Sequence, residues 1–389
     1  MPAGRSRLTV IFLTVLVDLI GFGLILPILP FYVQRFDASG FAYGALIGIF
    51  SLMQFVATVV LGRLSDRWGR RPILLVTIAL GVIGHLIFAV AGTFWMLFAA
   101  RAMAGLASGN ISVAQAYIAD VTTPSERSRG MGLVGAAFGL GFVLGPAIGG
   151  AAAHFGGPRA AGYVAAALST LNFLSAWFIL EESLGTEHRA ARPLLDLGHL
   201  GKAMTDPVLR PPFLVFIIIP FAFAGYIVAM PLWAEQRFGW GAREMAIYFT
   251  LIGVCAVTVQ GWAFGKIQRR TGDRPLAILG SAGMALGVGI IPLLPNAPWL
   301  YAMVIPFAVS NSLAAPALTG TISKLAGASE QGAMIGASQA YTALGRFSGP
   351  LLFGWIHDRW GPSLALWGAA LVMASAALIA LRIREAPAT

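Results

Sequence analysis

The sequence predicts an all-α integral membrane protein, with twelve transmembrane helices arranged as two pseudo-symmetric six-helix bundles. Three observations carry that expectation: a composition too apolar for a soluble domain, about twelve long apolar runs, and an internal repeat that divides the chain. Of 389 residues, 58% are hydrophobic and only 11% charged, with a mean hydropathy of +0.79. Soluble domains carry roughly 25% charged residues.

A helix needs about 20 apolar residues to cross a bilayer. Runs of that kind begin near Leu8, Phe41, Pro72, Phe94, Gly130 and Ala160, and again near Pro212, Arg243, Pro275, Trp299, Gly332 and Pro362. The first, about Leu8 to Val33, is longer than a signal-peptide core and is read as a mature span. The 47 glycines and 22 prolines suit membrane helices, where close packing and bent segments are common.

The net charge of +10 would point to nucleic acid in a soluble protein. Here the basic residues gather in short segments between apolar runs, so they are read as topology signals, and no nucleic-acid partner is expected. The densest clusters, Arg63 to Arg71 and Lys266 to Arg274, fall on one side of the predicted membrane, whereas Arg35, Arg159, Arg237, Arg243 and Arg359 fall singly on the other. The positive-inside rule then places both termini in the cytoplasm of a multi-pass plasma (inner) membrane protein. Cys255 is the single cysteine, which excludes an internal disulfide and a multi-cysteine metal site.

The repeat is legible in the charged loops. Gly62, Arg67, Gly69, Arg71 and Pro72 match Gly265, Arg270, Gly272, Arg274 and Pro275 at one constant spacing, and Gly145-Pro146 recurs as Gly349-Pro350. This divides the chain into bundles 1–183 and 212–389 joined by a cytoplasmic segment 184–211, a plan of parallel repeats found among transporters. The copies differ in their acids: Asp66 corresponds to Arg269, and Asp273 falls where the first loop has Arg70.

Polar residues inside the runs mark the candidate site. Asp18 sits mid-span among Val15, Leu16, Val17, Leu19 and Ile20. An ionised carboxylate there costs roughly 2.5–3.5 kcal/mol on translocon scales unless it meets water or a cation; taking up a proton also removes that cost. Arg101 lies in the fourth run, and at about 100° per residue Gly105, Ser108, Ser112 and Gln115 fall within about 40° of it. That face is expected to line a cavity, while Asn110 points the other way toward a neighbouring helix. Gln54 shares a face with Ser51 and Thr58, and Gln339 with Thr342 and Arg346. Gln260 and Asn311 are isolated polar residues of the second half. Together these predict a weakly polar cavity suited to amphipathic molecules. His85 and His154 lack metal-ligand spacing and are read as structural. Gly132, Gly141, Gly145, Pro146, Gly149 and Gly150 make the fifth run a closely packing, bendable helix.

No nucleophile elbow, zinc-protease motif or Walker sequence is present, so neither an enzyme nor an ATP-driven pump is expected. No cofactor is called for, and a gradient must supply the energy of uphill transport.

These residues resemble the major facilitator superfamily and, within it, the twelve-helix drug:proton antiporters of the tetracycline-efflux-like branch. The resemblance spans the chain. It rests on Gly62-x-Leu64-x-Asp66-Arg67-x-Gly69-Arg70-Arg71, on Asp18-x-x-Gly21-x-Gly23-Leu24-Ile25-x-Pro27-x-Leu29-Pro30, on Arg101 with Gly105 and Gly109, and on Gly141-x-x-x-Gly145-Pro146-x-x-Gly149-Gly150. It implies a rocker-switch exchanger in which a proton enters as a lipophilic substrate leaves, with Asp18 as proton site, Arg101 as its electrostatic partner and Asp66, Arg70 and Arg71 in a cytoplasmic gate; a monomer is expected. Tetracycline exporters carry further acids in spans three and nine, where this chain has Gly84-His85 and Gly283-Met284; tetracycline itself is therefore not carried over as substrate. The same fold permits nutrient uptake, and a non-transporting receptor or scaffold is the alternative from another class.

Overall fold

The computed structural model describes residues 3–123, 127–184, 198–326 and 330–384. Among the described residues regular structure is helical throughout, with no strand. Residues 185–197 of the expected cytoplasmic connection 184–211 lie outside the described residues.

Two compact units divide the chain. The first comprises Met1–Asp37, Ile49–Leu195 and Gly241–Thr250; the second comprises Ala38–Gly48, Asp196–Trp240 and Leu251–Thr389. In chain order the helices up to the connection are α1 (Ala3–Ile25), α2 (Leu29–Val33), α3 (Gly40–Trp68), α4 (Arg70–Val90), α5 (Phe94–Ala107), α6 (Asn110–Val121) and α7 (Arg127–Ile179). After it come α8 (Gly198–Thr205), α9 (Arg210–Phe238), α10 (Ala242–Thr258), α11 (Phe264–Thr271), α12 (Asp273–Ile290), α13 (Ala297–Leu325), α14 (Gln331–Trp360) and α15 (Pro362–Ala380). Each predicted apolar run is largely helical, but the first, Leu8 to Val33, is broken by a turn at 26–28 between α1 and α2. Nine helical stretches among the described residues are long and apolar enough to cross a membrane.

Two of those runs share α7, which bends at Gly156-Gly157. Gly157 has φ 70°, a left-handed backbone open to glycine at little cost, and Pro158 then starts the next segment with a preset φ. The fourth run is divided at Ser108-Gly109. Both residues keep right-handed angles, and Gly109 N–H bonds Leu106 O at 3.3 Å, so the helix loosens there without reversing.

The repeat seen in the loops is also a repeat of packing. In the first unit α1 packs on α7, and α4 on α5 and α7; in the second, α9 packs on α14, and α12 on α13 and α15. Gly69 and Gly272, matched by the loop repeat, have φ 105° and 82° and each precedes a new helix. Gly157 and Gly361, each followed by proline, form a second such pair, with φ 70° and 85°. Arg71 and Arg274 complete the correspondence. Arg71 Nε and a terminal nitrogen donate to Leu180 O and Trp177 O at the end of α7, and Arg274 donates to Leu381 O after α15. Such a cation satisfies carbonyls that have no partner at a helix C-terminus.

The first unit's core gathers Val10, Ile11 and Val15 of α1 with Leu74 and Ile78 of α4, Val113 and Tyr117 of α6, and Ala137 and Ala176 of α7. Large apolar side chains also point outward. Phe178 is 79% exposed and Leu371 74%, a distribution that suits a hydrocarbon surrounding and not water.

Candidate functional site

Asp18, Gly21 and Phe22 of α1, Phe50 of α3, Gly81 and His85 of α4, and Arg101, Ala104, Ala107 and Ser108 at the α5 end line one small pocket inside the first unit. Three ionisable side chains thus share a wall that is otherwise aromatic or small. Ser108 hydrogen-bonds the Asp18 carboxyl group, while Asp18 Oδ2 is buried and has no hydrogen-bond partner. Arg101, 2% exposed, lays its guanidinium over the Phe50 ring at 4.4 Å and faces Phe22 at 5.8 Å. Cation–π attraction of this kind reaches about 2 kcal/mol when desolvated, so the aromatic pair offsets part of the cost of a buried cation.

Packing fixes where Asp18 points. A Cβ added at Gly141 would lie 2.5 Å from Leu19 Cβ, and one at Gly145 would lie 2.8 Å from Gly23 Cα. The glycine stripe therefore presses α7 against α1 one turn beyond Asp18, leaving no room for a side chain. Pro146 Cδ lies on the same seam, 3.1 Å from a Cβ placed at Gly23. Gly149 faces Leu24 and Gly150 faces Ala246, whereas Gly132 has open space around it.

Arg101 and Ser108 share a face, as the helical spacing predicts, and Asp18 of α1 lines the same pocket. The other residues expected of the cavity do not line this pocket. Ser112 bonds Gly109 O at 2.9 Å and reaches Thr58 O at 3.4 Å, Gln115 is exposed, and Gln54 keeps a buried Oε1 without a partner. Asn110 is buried, but its Oδ1 finds no partner on a neighbouring helix. Gln260 and Gln339 are exposed and Asn311 is half-buried, all in the second unit; Gln260 lies in a short π-helical segment, Val259–Ala263. Arg346 Nε is buried without a partner. His85, read from sequence as structural, is bonded as such a residue would be, yet it also lines the pocket of Asp18. The signal was present: an ionisable residue inside an apolar run is a functional candidate by default.

The charged loop is an organised junction. Arg70, buried, pairs with Asp66 at 2.5 Å and Asp120 at 3.1 Å and donates to Ser65 Oγ at 2.6 Å. Glu182 accepts from Arg70 N at 2.8 Å and Arg71 N at 3.3 Å, placing a carboxylate on the N-terminus of α4, where the helix dipole favours it. Asp120 and Glu182 carry this junction although their local sequence gives no sign of it. Gly62 and Arg67 are parts of α3, and Gly69 makes the turn out of it.

The matching junction of the second unit inverts the charges. Asp273, where the first copy has Arg70, meets Lys324 at 2.5 Å and Gln268 Nε2 at 3.0 Å. Lys324 in turn occupies the place of Asp120. Both copies hold a buried charge at the start of the third helix of the half against an opposite charge on the fourth; only the signs are exchanged.

Comparison with known proteins agrees with this architecture. A sequence model of the Major Facilitator Superfamily matches residues 11–350 and 267–389. The chain is 32% identical over 380 residues to the tetracycline resistance protein, class C, of Escherichia coli, covering 95% of each chain. It is 29% identical over 353 residues to multidrug resistance protein 2 of Bacillus subtilis, covering 88% and 87%. Among solved structures, a bacterial homolog of the human lysosomal transporter Spinster, inward-facing and unoccupied, superposes with a TM-score of 0.82 at 15% identity over the whole of both chains. The human organic anion transporter TETRAN gives 0.72 at 23% identity over 98% and 100%. The chain belongs to the major facilitator superfamily: it is a multi-pass membrane transporter of small molecules and not an enzyme.

Proposed function

We propose that this superfamily member exports lipophilic or amphipathic small molecules in exchange for protons, by alternating access across the plasma membrane, with both termini cytoplasmic and the monomer as the working unit. The observation that carries the reading is Asp18, a buried carboxyl with one oxygen left unpaired, in the same pocket as the permanent cation Arg101. A group so placed changes its interaction with its surroundings whenever it gains or loses a proton. Arg101 makes that change consequential, because the pocket is neutral when Asp18 is ionised and cationic when it is not. Export is favoured over uptake by the relatives, whose names are those of tetracycline and multidrug resistance proteins.

In this scheme residues 1–183 and 212–389 act as the two halves, joined by 184–211. The loop from Gly62 to Arg71 serves as the cytoplasmic gate, and the helix of Gly132, Gly141, Gly145, Pro146, Gly149 and Gly150 as a closely packed, bendable hinge or seal, set against α1 through Gly141, Gly145 and Gly149. Gln54, Ser112, Gln115, Gln260, Asn311 and Gln339 supply scattered hydrogen-bonding groups to the substrate. Inverted vesicles test the reading directly. Adding tetracycline or ethidium, a lipophilic cation, to vesicles energised with an acidic lumen should release lumenal protons, and Asp18→Asn should abolish that release while the protein still reaches the membrane. Normal coupled export by Asp18→Asn would sink the proton-site assignment.

A further inference from the structure

We infer that His85 is the relay through which protons reach and leave Asp18, so that the proton site of this chain is an acid–imidazole pair housed in one half. The inference rests on the proposed proton coupling and adds a second titratable group to it.

His85 is buried, 5% exposed. Its Nδ1 lies 3.1 Å from Ser169 Oγ on α7, which fixes the ring. The other edge of the ring faces α1. A Cβ built at Gly21 would stand 2.7 Å from His85 Cε1 and 2.9 Å from Nε2, so only glycine admits the imidazole there. Gly21 is three residues from Asp18, on the same helix face, and Asp18, Gly21 and His85 line the same pocket. The titratable and polar groups that share the pocket with the ring are Asp18 from α1 and Arg101 and Ser108 from the α5 end, with the aromatic Phe50 from α3, while Ser169 bonds the ring from α7. Asp18 Oδ2, without a partner, is the matching acceptor and donor.

The chemistry balances with one proton and no electron transfer. With Nδ1–H donated to Ser169 Oγ, Nε2 carries a free lone pair. Oδ2 and Nε2 line one pocket without being hydrogen-bonded to each other, so a single water between them carries the proton. The Oδ2–H bond of protonated Asp18 breaks as the water takes that proton, and one of the water's own O–H bonds breaks as an Nε2–H bond forms, leaving a carboxylate, a water and an imidazolium; the imidazolium then gives the proton to solvent. Arg101 drives the second step, because two cations in one small pocket repel. Among the described residues, the matching helices α9 and α12 of the second unit carry no such pair within their apolar stretches. From Phe213 to Ala234 in α9, and from Pro275 to Ile290 in α12, no charged residue occurs.

The test measures ethidium-driven proton release from inverted vesicles across pH for wild type, His85→Gln, Ser169→Ala and Asp18→Asn, with membrane levels normalised. A positioned proton-transfer group contributes on the order of 10²–10⁴ in rate, part of which water replaces. His85→Gln should therefore be roughly 10-fold slow near neutral pH and recover toward wild type as protons become abundant at about pH 5.5. Ser169→Ala keeps the ring but frees it, and should displace the pH midpoint in the same direction. A loss of equal size at every pH, or none, overturns the relay, as does an unmoved midpoint in Ser169→Ala should His85→Gln fail to fold. If Asp18→Asn stays inactive while both relay variants behave as wild type, this inference alone fails; if Asp18→Asn remains coupled, the proton-site reading beneath it fails as well.

Discussion

The inverted junction of the second half makes a quantitative prediction. Lys324→Ala leaves Asp273, 7% exposed in its side chain, without its cation. Breaking a buried pair costs about 3–5 kcal/mol, but Lys324 is 53% exposed, which screens much of that attraction. Gln268 Nε2 still holds Asp273 Oδ1 at 3.0 Å. A loss of about 1–2 kcal/mol remains after that discount. At about 2–4 °C per kcal/mol for a unit of this size, the melting midpoint of the detergent-solubilised protein should fall by roughly 2–8 °C. Asp273→Arg alone should be worse, since it sets two cations together beside Gly320. Exchanging both, Asp273→Arg with Lys324→Asp, recreates the signs of Arg70 and Asp120 and should recover most of the loss. Recovery should fall short by about 0.3–1 kcal/mol, because the exchange removes a carboxylate from the first turn of α12. The first half meets that need through Glu182. A double variant no more stable than Asp273→Arg would refute the reasoning.

Further outcomes follow from other contacts. Asp358 accepts Gly40 N–H at 2.6 Å and Phe41 N–H at 2.8 Å at the start of α3. Burial pushes its carboxyl upward, but these two donors and His357 outweigh it and hold it below the ordinary carboxylate range. The stabilisation is thus complete above about pH 4 and lost as pH falls through the lower folded value. Asp358→Asn should accordingly melt earlier at pH 7, by the ~1 kcal/mol of a lost N-cap, with the gap to wild type closing in acid. Gly145→Val should cost about 1–3 kcal/mol by overpacking, because its Cβ meets Gly23 backbone at 2.8 Å; thermal melting and transport both report it, and full activity would deny the seam its role. Asp66→Asn should impair ethidium export more than Arg269→Ala, since Asp66 pairs with the buried Arg70; equal losses would return the loop to a topology signal.

The sequence by itself determined the class, the runs that became helices and the residues most costly to bury. Hydrophobicity, proline and charge act within one stretch of chain, so the apolar run from Leu8, the charged loops Gly62 to Pro72 and Gly265 to Pro275, and the isolation of Asp18 and Arg101 could be read without a partner in view. The face shared by Arg101 and Ser108 was legible for the same reason, although the loosening at Ser108-Gly109 let Ser112 turn to α3 and left Gln115 exposed. Tertiary structure alone decided what those residues meet. Asp120, Glu182 and Lys324 are ordinary surface-type charges in sequence and become partners of Arg70, α4 and Asp273 only because helices far apart in the chain end side by side. His85 is likewise one histidine among apolar residues until Gly21 admits its ring beside Asp18. The cost of burying a charge is fixed by the residue, but the group that offsets it is fixed by packing.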